Sequence, residues 1–140
     1  MIKKFLAASL ILFLFAPINA KALELLAIVV DWCPYCQRFE SSLVPEYTGD
    51  VPLVVVNVTD GQSLPQWFKT AYDAEQIQTL YSVPTFIIWD EVNNRELVRW
   101  VSYQDPASFY QMLTTAIEKA KEVQKDCEEV NACTPINLNY

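Results

Sequence analysis

Histidine is absent from the 140 residues. A Cys–His or Ser–His nucleophile pair is therefore excluded, and so is a His-ligated metal centre. Glycine occurs only 2 times, too few for the glycine-rich loops that cradle phosphates. Charge is scarce and one-sided: charged residues make up 19%, with Lys+Arg 10 against Asp+Glu 17 and a net charge of -7. Nucleic acids and anionic membrane surfaces need a basic face, so neither is an expected partner. What the chain does have is apolar mass. Hydrophobic residues reach 52%, enough for one packed core at this length but not comfortably for two. It also has four cysteines, and these carry most of the chemical information.

The first residues have the three-part plan of a secretory signal. Lys3 and Lys4 precede an apolar run from Phe5 to Phe15, and small residues follow. Cleavage is expected after Ala20, or after Ala22, where Ala20-Lys21-Ala22 is an A-x-A match. The run is shorter than the ~20 residues that span a bilayer, and Pro17, Asn19, Lys21 and Glu24 interrupt it. No cysteine lies near the cleavage region to carry a lipid. Losing Lys3 and Lys4 would take the net charge from -7 to -9. The expected organisation is a signal over 1–20, one domain over 21–125 and a cysteine-containing tail over 126–140. Export places the thiols where they oxidise unless something reduces them.

Leu23 to Val30 is nearly all apolar and predicts a strand buried on both faces. Gln37 to Val44 predicts a helix with Phe39 and Leu43 on one face, stopped by Pro45. Val51 to Val58 is a second strand rich in β-branched residues. Ser63 to Tyr81 has helical periodicity, with Ser63 as cap and Pro65 in the first turn. Thr85 to Trp89 and Leu97 to Tyr103 form a hairpin across Asn93-Asn94, residues that tolerate positive φ. Asp105 and Pro106 open a last helix whose Phe109, Met112, Leu113, Ala116, Ile117 and Ala120 recur at helical spacing. The order is βαβ followed by ββα. It predicts an α/β fold in three layers, with helices on both faces of a sheet of about four strands.

Cys33-Pro34-Tyr35-Cys36 stands where the first strand hands over to a helix. Backbone N–H groups and the helix dipole stabilise a thiolate at that end. Cys36 lies one turn on, within reach of the first sulfur. Lowering a thiol pKa from ~8.5 to ~7 raises the thiolate fraction at neutral pH from about 3% to about half. Other readings are an inert structural disulfide, a zinc or copper site short of ligands, or chance spacing of two core cysteines. Val83-Pro84-Thr85 is a second element, with Pro84 at a strand start.

Trp32-Cys33-Pro34-Tyr35-Cys36, the later Val83-Pro84-Thr85 and the βαβ–ββα order resemble the thioredoxin-like superfamily over about Leu23 to Lys125. Within it, the exported compact form with this dipeptide is most similar to the periplasmic SoxS-like group of sulfur-oxidation clusters. The resemblance implies a thioredoxin-like fold and a periplasmic location. It implies a cis Pro84 facing the cysteine pair, with Val83 offering backbone hydrogen bonds to an extended substrate segment. Trp32, Pro34, Tyr35, Val83, Pro84 and Thr85 are the implied substrate-binding residues, and Cys33 and Cys36 the catalytic ones. The sequence departs from the family at Ala27, where cytoplasmic thioredoxins carry a buried Asp six residues before the first cysteine; Asp31 is no obvious substitute. Pro34-Tyr35 and Ser82-Val83-Pro84 are like glutaredoxins, but Val101-Ser102-Tyr103-Gln104-Asp105 stands where their glutathione-binding Gly-Gly-Asp would be.

Cys127 and Cys133 have none of this helix-start context and are expected to form a structural disulfide; the alternatives are a second redox pair relaying electrons to or from Cys33 and Cys36, free thiols, or intermolecular pairing. Trp67, Trp89 and Trp100 are expected in core and rim packing, whereas Trp32 could shield the reactive sulfur. The expected function is reduction of protein disulfides by a Cys33–Cys36 dithiol in a monomer. It needs no metal and no organic cofactor. Its electrons would come from an inner-membrane thiol transporter. Rival readings are a disulfide oxidase or isomerase, a non-catalytic binding module and a metal chaperone.

Overall fold

Strand β1 (Leu23–Val29) is the axis of the fold, and its pleat divides the core in two. Leu25, Ala27 and Val29 face one apolar layer, while Leu26 and Ile28 face the other. All five are 0% exposed, so this strand is buried on both faces as a central strand must be. The computed structural model describes residues 22–130 and 133–138; the expected secretory signal lies outside them.

Helix α1 (Pro34–Ser42) carries the chain to strand β2 (Leu53–Asn57), which pairs parallel to β1 with Leu25 opposite Leu53. Strand β3 (Thr85–Asp90) returns antiparallel on the other side of β1, and strand β4 (Arg95–Val101) is its hairpin partner. A two-residue strand β5 (Ile136–Asn137) then lies parallel to the edge of β4, giving the order β2-β1-β3-β4-β5. The expected sheet of about four strands is therefore five. A two-residue strand is too short to show a periodic pattern.

Helix α2 (Gln66–Asp73) covers one face through Phe68 and Ala71. Helices α1 and α3 (Pro106–Val130) cover the other through Phe39, Phe109, Leu113 and Ala116. Rings dominate that second layer: Phe39 lies 5.0 Å from Phe86, 5.5 Å from Tyr103 and 5.6 Å from Phe109, centroid to centroid. Asp105 caps α3, accepting the Ser108 N–H at 2.9 Å. In the β3–β4 turn Asn94 has φ 49°, and Asn93 donates backbone and side-chain hydrogen bonds to Asp90.

The single helix expected over Ser63–Tyr81 is much shorter. Ser63 ends a 3-10 turn, Pro65 takes the cap position and Glu75 at φ 57° stops α2. The next residues bond outside a helix. Gln76 C=O accepts from Glu96 N–H, Gln78 N–H donates to the Glu96 carboxylate, and Arg99 donates to the Gln78 and Thr79 carbonyls. Ile77 is buried all the same, which is why the apolar spacing looked helical.

The tail expected from Asp126 is also different at its start. Helix α3 continues to Val130, so Cys127 is a buried helical residue, disulfide-bonded to Cys133 and leading into β5. Closing so short a loop contributes about 2 kcal/mol in the chain-entropy model. A Cys127→Ser/Cys133→Ser double variant is expected to lose about that much in urea denaturation. A loss under about 0.5 kcal/mol would show that the bridge does not restrain the unfolded chain.

Candidate active site

Cys33 occupies the N-cap of α1 in extended backbone, φ -87° and ψ 117°, and Pro34 begins the helix. Its Sγ accepts the Cys36 N–H at 3.4 Å, which is how an N-cap side chain satisfies an orphan helix donor. On its other side the thiol donates to the Val83 carbonyl at 3.7 Å. The Val83–Pro84 peptide bond is cis. Both cysteines are free thiols, Cys33 4% exposed and Cys36 0%. The loop between β1 and α1 is tied to the end of β2. Asp31 N–H donates to Thr59 Oγ1 at 2.8 Å, Asn57 Nδ2 donates to the Asp31 carboxylate, and Gln37 Nε2 donates to the Asp31 carbonyl at 2.7 Å.

The two sulfurs are chemically unequal. Burial alone would raise the Cys33 pKa. Hydrogen bonds from the Cys36 thiol and from the backbone N–H groups of Cys36 and Tyr35 outweigh it and hold Cys33 below the ordinary thiol value. Burial pushes the Cys36 thiol up to about 12, with the Cys33 sulfur and the Glu40 carboxylate adding to it. At pH 7 iodoacetamide is expected to label Cys33 at least about tenfold faster than Cys36, read by mass spectrometry after short exposure. Equal rates would refute the inequality.

The structure brings Cys33, Cys36 and Val83 together, with Pro84 buried beside Val83. Trp32 (72% exposed) and Tyr35 (51%) flank them, as does the exposed Pro34, and the Arg38 guanidinium lies 5.3 Å over the Tyr35 ring. Thr85 departs from its expected substrate-facing role. It is 1% exposed, and its hydroxyl donates to the Ser82 carbonyl at 2.6 Å, so it shapes the loop from inside.

Ala27 is buried on β1 and brings no carboxylate. The nearby acid is Glu40, half-buried one turn beyond Cys36, its pKa raised by burial and by the charge of Asp31. The i, i+4 spacing from Cys36 was the signal for it in the sequence. Tyr81, 90% exposed two residues before Val83, left no comparable trace.

The second cysteine pair is not part of this site. Phe109 packs against Phe39 beneath the site, and Cys127 lies 18 residues further along α3. At 1.5 Å per residue that is about 27 Å, too far for exchange between the pairs within one chain. Among the described residues no group of three or more Cys, Asp or Glu is placed to hold a metal ion.

No protein-family model matches the chain, and no curated protein matches it. Among solved structures the chain is similar to the crystal structure of the periplasmic thioredoxin SoxS from Paracoccus pantotrophus in its reduced form. Identity is 24% and the TM-score 0.54, over 70% of this chain and 98% of that one. A second similar structure is that of Trxlp from Edwardsiella tarda EIB202, at 26% identity and TM-score 0.45, over 67% of this chain and 84% of that one. Taken with the strand order and the cysteine pair at the β1–α1 junction, the likeness to the first establishes that this chain has a thioredoxin-like fold.

Proposed function

We propose that the protein is an exported thiol–disulfide oxidoreductase that reduces protein disulfides with the Cys33–Cys36 dithiol. The observation that carries this reading is the unequal pair: an acidified sulfur at a helix N-cap backed by a buried, protonated one. The Cys33 thiolate attacks one sulfur of a substrate disulfide. A mixed disulfide forms, and the other substrate sulfur leaves as a thiolate that takes up a proton. Cys36 then loses its proton and attacks Cys33 Sγ. The Cys33–Cys36 disulfide forms and the second substrate thiolate departs. Two electrons pass from the enzyme to the substrate.

Reduction is favoured over oxidation by the opposition within the site. Strong oxidants of this chemistry owe their power to a greatly stabilised thiolate. At Cys33 the hydrogen bonds lower the pKa overall, but burial is the largest single influence and works against the thiolate. The secretory plan of residues 1–20, with the periplasmic origin of the similar SoxS, supports a periplasmic location for the mature domain. A reductase in an oxidising compartment needs outside electrons, so an inner-membrane thiol transporter is the partner this reading requires. A glutathione redox titration of Cys33–Cys36, with Cys127 and Cys133 replaced by Ser, tests the direction. A potential near about -270 mV is expected, and one near about -120 mV would make the protein an oxidase.

A further inference from the structure

Glu96 and Arg99 are an ion pair on β4 with side chains 0% and 6% exposed. They sit where the sheet faces the α2 layer of Leu26, Ile28 and Ile77. A buried pair of this kind is a weak source of stability, since apolar residues in its place often serve as well or better. Its remaining hydrogen-bonding capacity goes to one irregular segment. Glu96 Oε2 accepts the Gln78 N–H at 2.9 Å. Arg99 Nη1 donates to the Thr79 carbonyl and Nη2 to the Gln78 carbonyl, each at 3.0 Å, while Nη2 also holds Glu96 Oε2 at 2.7 Å.

That segment leads directly to the active site. Beyond Thr79 the Ser82 carbonyl is held by Thr85, and the Pro84 carbonyl by the Ser102 N–H at 3.1 Å. The Val83 carbonyl between them accepts from the Cys33 thiol. We propose that Glu96 and Arg99 are positioning residues: by clamping residues 76–79 to β4 they hold the 80–84 segment over the Cys33 sulfur. The inference deepens the oxidoreductase reading and rests on it only for the activity measurement below.

The clamp predicts two effects of opposite sign. The Val83 carbonyl accepts a hydrogen bond from the protonated thiol, and the segment that bears it keeps Cys33 4% exposed. Both favour the thiol over the thiolate. A loosened segment therefore leaves Cys33 more acidic and more open to a small reagent. A protein substrate, by contrast, loses the ordered backbone it docks against. The other groups acting on this thiol are unchanged by substitution at 99: Cys36 bonds it directly, Glu40 acts on Cys36, and Asp31 acts on Glu40.

The test is Arg99→Met in the full chain, with Arg99→Lys as the variant that keeps a cation beside Glu96. Iodoacetamide alkylation of Cys33 is measured against pH, and insulin reduction gives kcat/KM. In Arg99→Met the alkylation profile is expected to move to lower pH, with the rate at pH 6 up about threefold. Insulin kcat/KM is expected to fall about tenfold. Arg99→Lys should lie between this variant and the wild type. Two wild-type values in folded Arg99→Met would overturn the proposal, and so would a fall in both rates. Should Arg99→Met not fold, Arg99→Lys decides by the same split, and wild-type behaviour in it overturns the clamp. A wild-type protein that fails to reduce insulin would sink the reductase reading, while the alkylation profiles would still decide the positioning role.

Discussion

Replacing Cys33 with Ser is expected to lower protein-disulfide reduction at least about 10³-fold, while Cys36→Ser retains the first half of the reaction and accumulates mixed disulfides. The asymmetry follows from where the sulfurs sit. Cys33 has the helix N-cap, the hydrogen bonds that favour its thiolate, and the exposed Trp32 and Tyr35 on either side. A hydroxyl at that position stays protonated at neutral pH and cannot displace a sulfur. Cys36 is 0% exposed and its pKa is pushed up to about 12, so it cannot begin the attack. It can only resolve an intermediate already formed on its neighbour. Insulin turbidity reads the loss in the first variant, and non-reducing gels read the trapped adducts in the second. Residual turnover above about a tenth of wild type in Cys33→Ser, with Cys36 alone present at the site, would sink the assignment of nucleophile and resolver.

The parts of this site that lay in the sequence are those where one local rule decides. A buried strand, a cysteine at the next helix start and a proline after it fix each other within a few residues, and β1, Cys33 and Pro34 follow. The Asp105 cap of α3 is another such case. The rest depended on contacts across the sheet. Residues 74–81 have apolar spacing that suits a helix, yet their backbone groups bond to Glu96 and Arg99, some twenty positions away. No window over Ser63–Tyr81 contains that information. The resemblance made Thr85 a substrate-binding residue through its place in Val83-Pro84-Thr85; its burial comes from β1 on one side and β4 on the other. The continuation of α3 to Val130 was masked by acidic composition, although Cys127 falls on its buried face.

The largest loss of stability from a single truncation is expected at Phe39→Ala, about 3–5 kcal/mol. The ring is 0% exposed and lies within 5.6 Å of three aromatic neighbours: Phe86 from β3, Tyr103 from the loop after β4, and Phe109 from α3. Those three come from different elements and cannot all close on the space it leaves, so a cavity penalty adds to the lost transfer energy. Helix α1 has only 9 residues, and Cys36 and Phe39 are the buried ones within it. A helix that short does not persist without tertiary anchoring. Phe39 is therefore what presses α1 onto the sheet, with the Ser42–Tyr103 hydroxyl contact at 2.8 Å assisting at its end. Since a domain has only about 5–15 kcal/mol in total, the variant should lie near the edge of folding. Its Tm should fall about 10–20 °C. Phe39→Leu should recover most of the loss, because it refills much of the volume without the edge-to-face ring contacts. The helix start that acidifies Cys33 hangs on the same anchor. Alkylation of Cys36 in Phe39→Ala, held below its own Tm, should rise while that of Cys33 loses its advantage. A stability loss below about 1 kcal/mol, or a Cys36 still unreactive in the folded variant, would mean that α1 is held by something other than this ring.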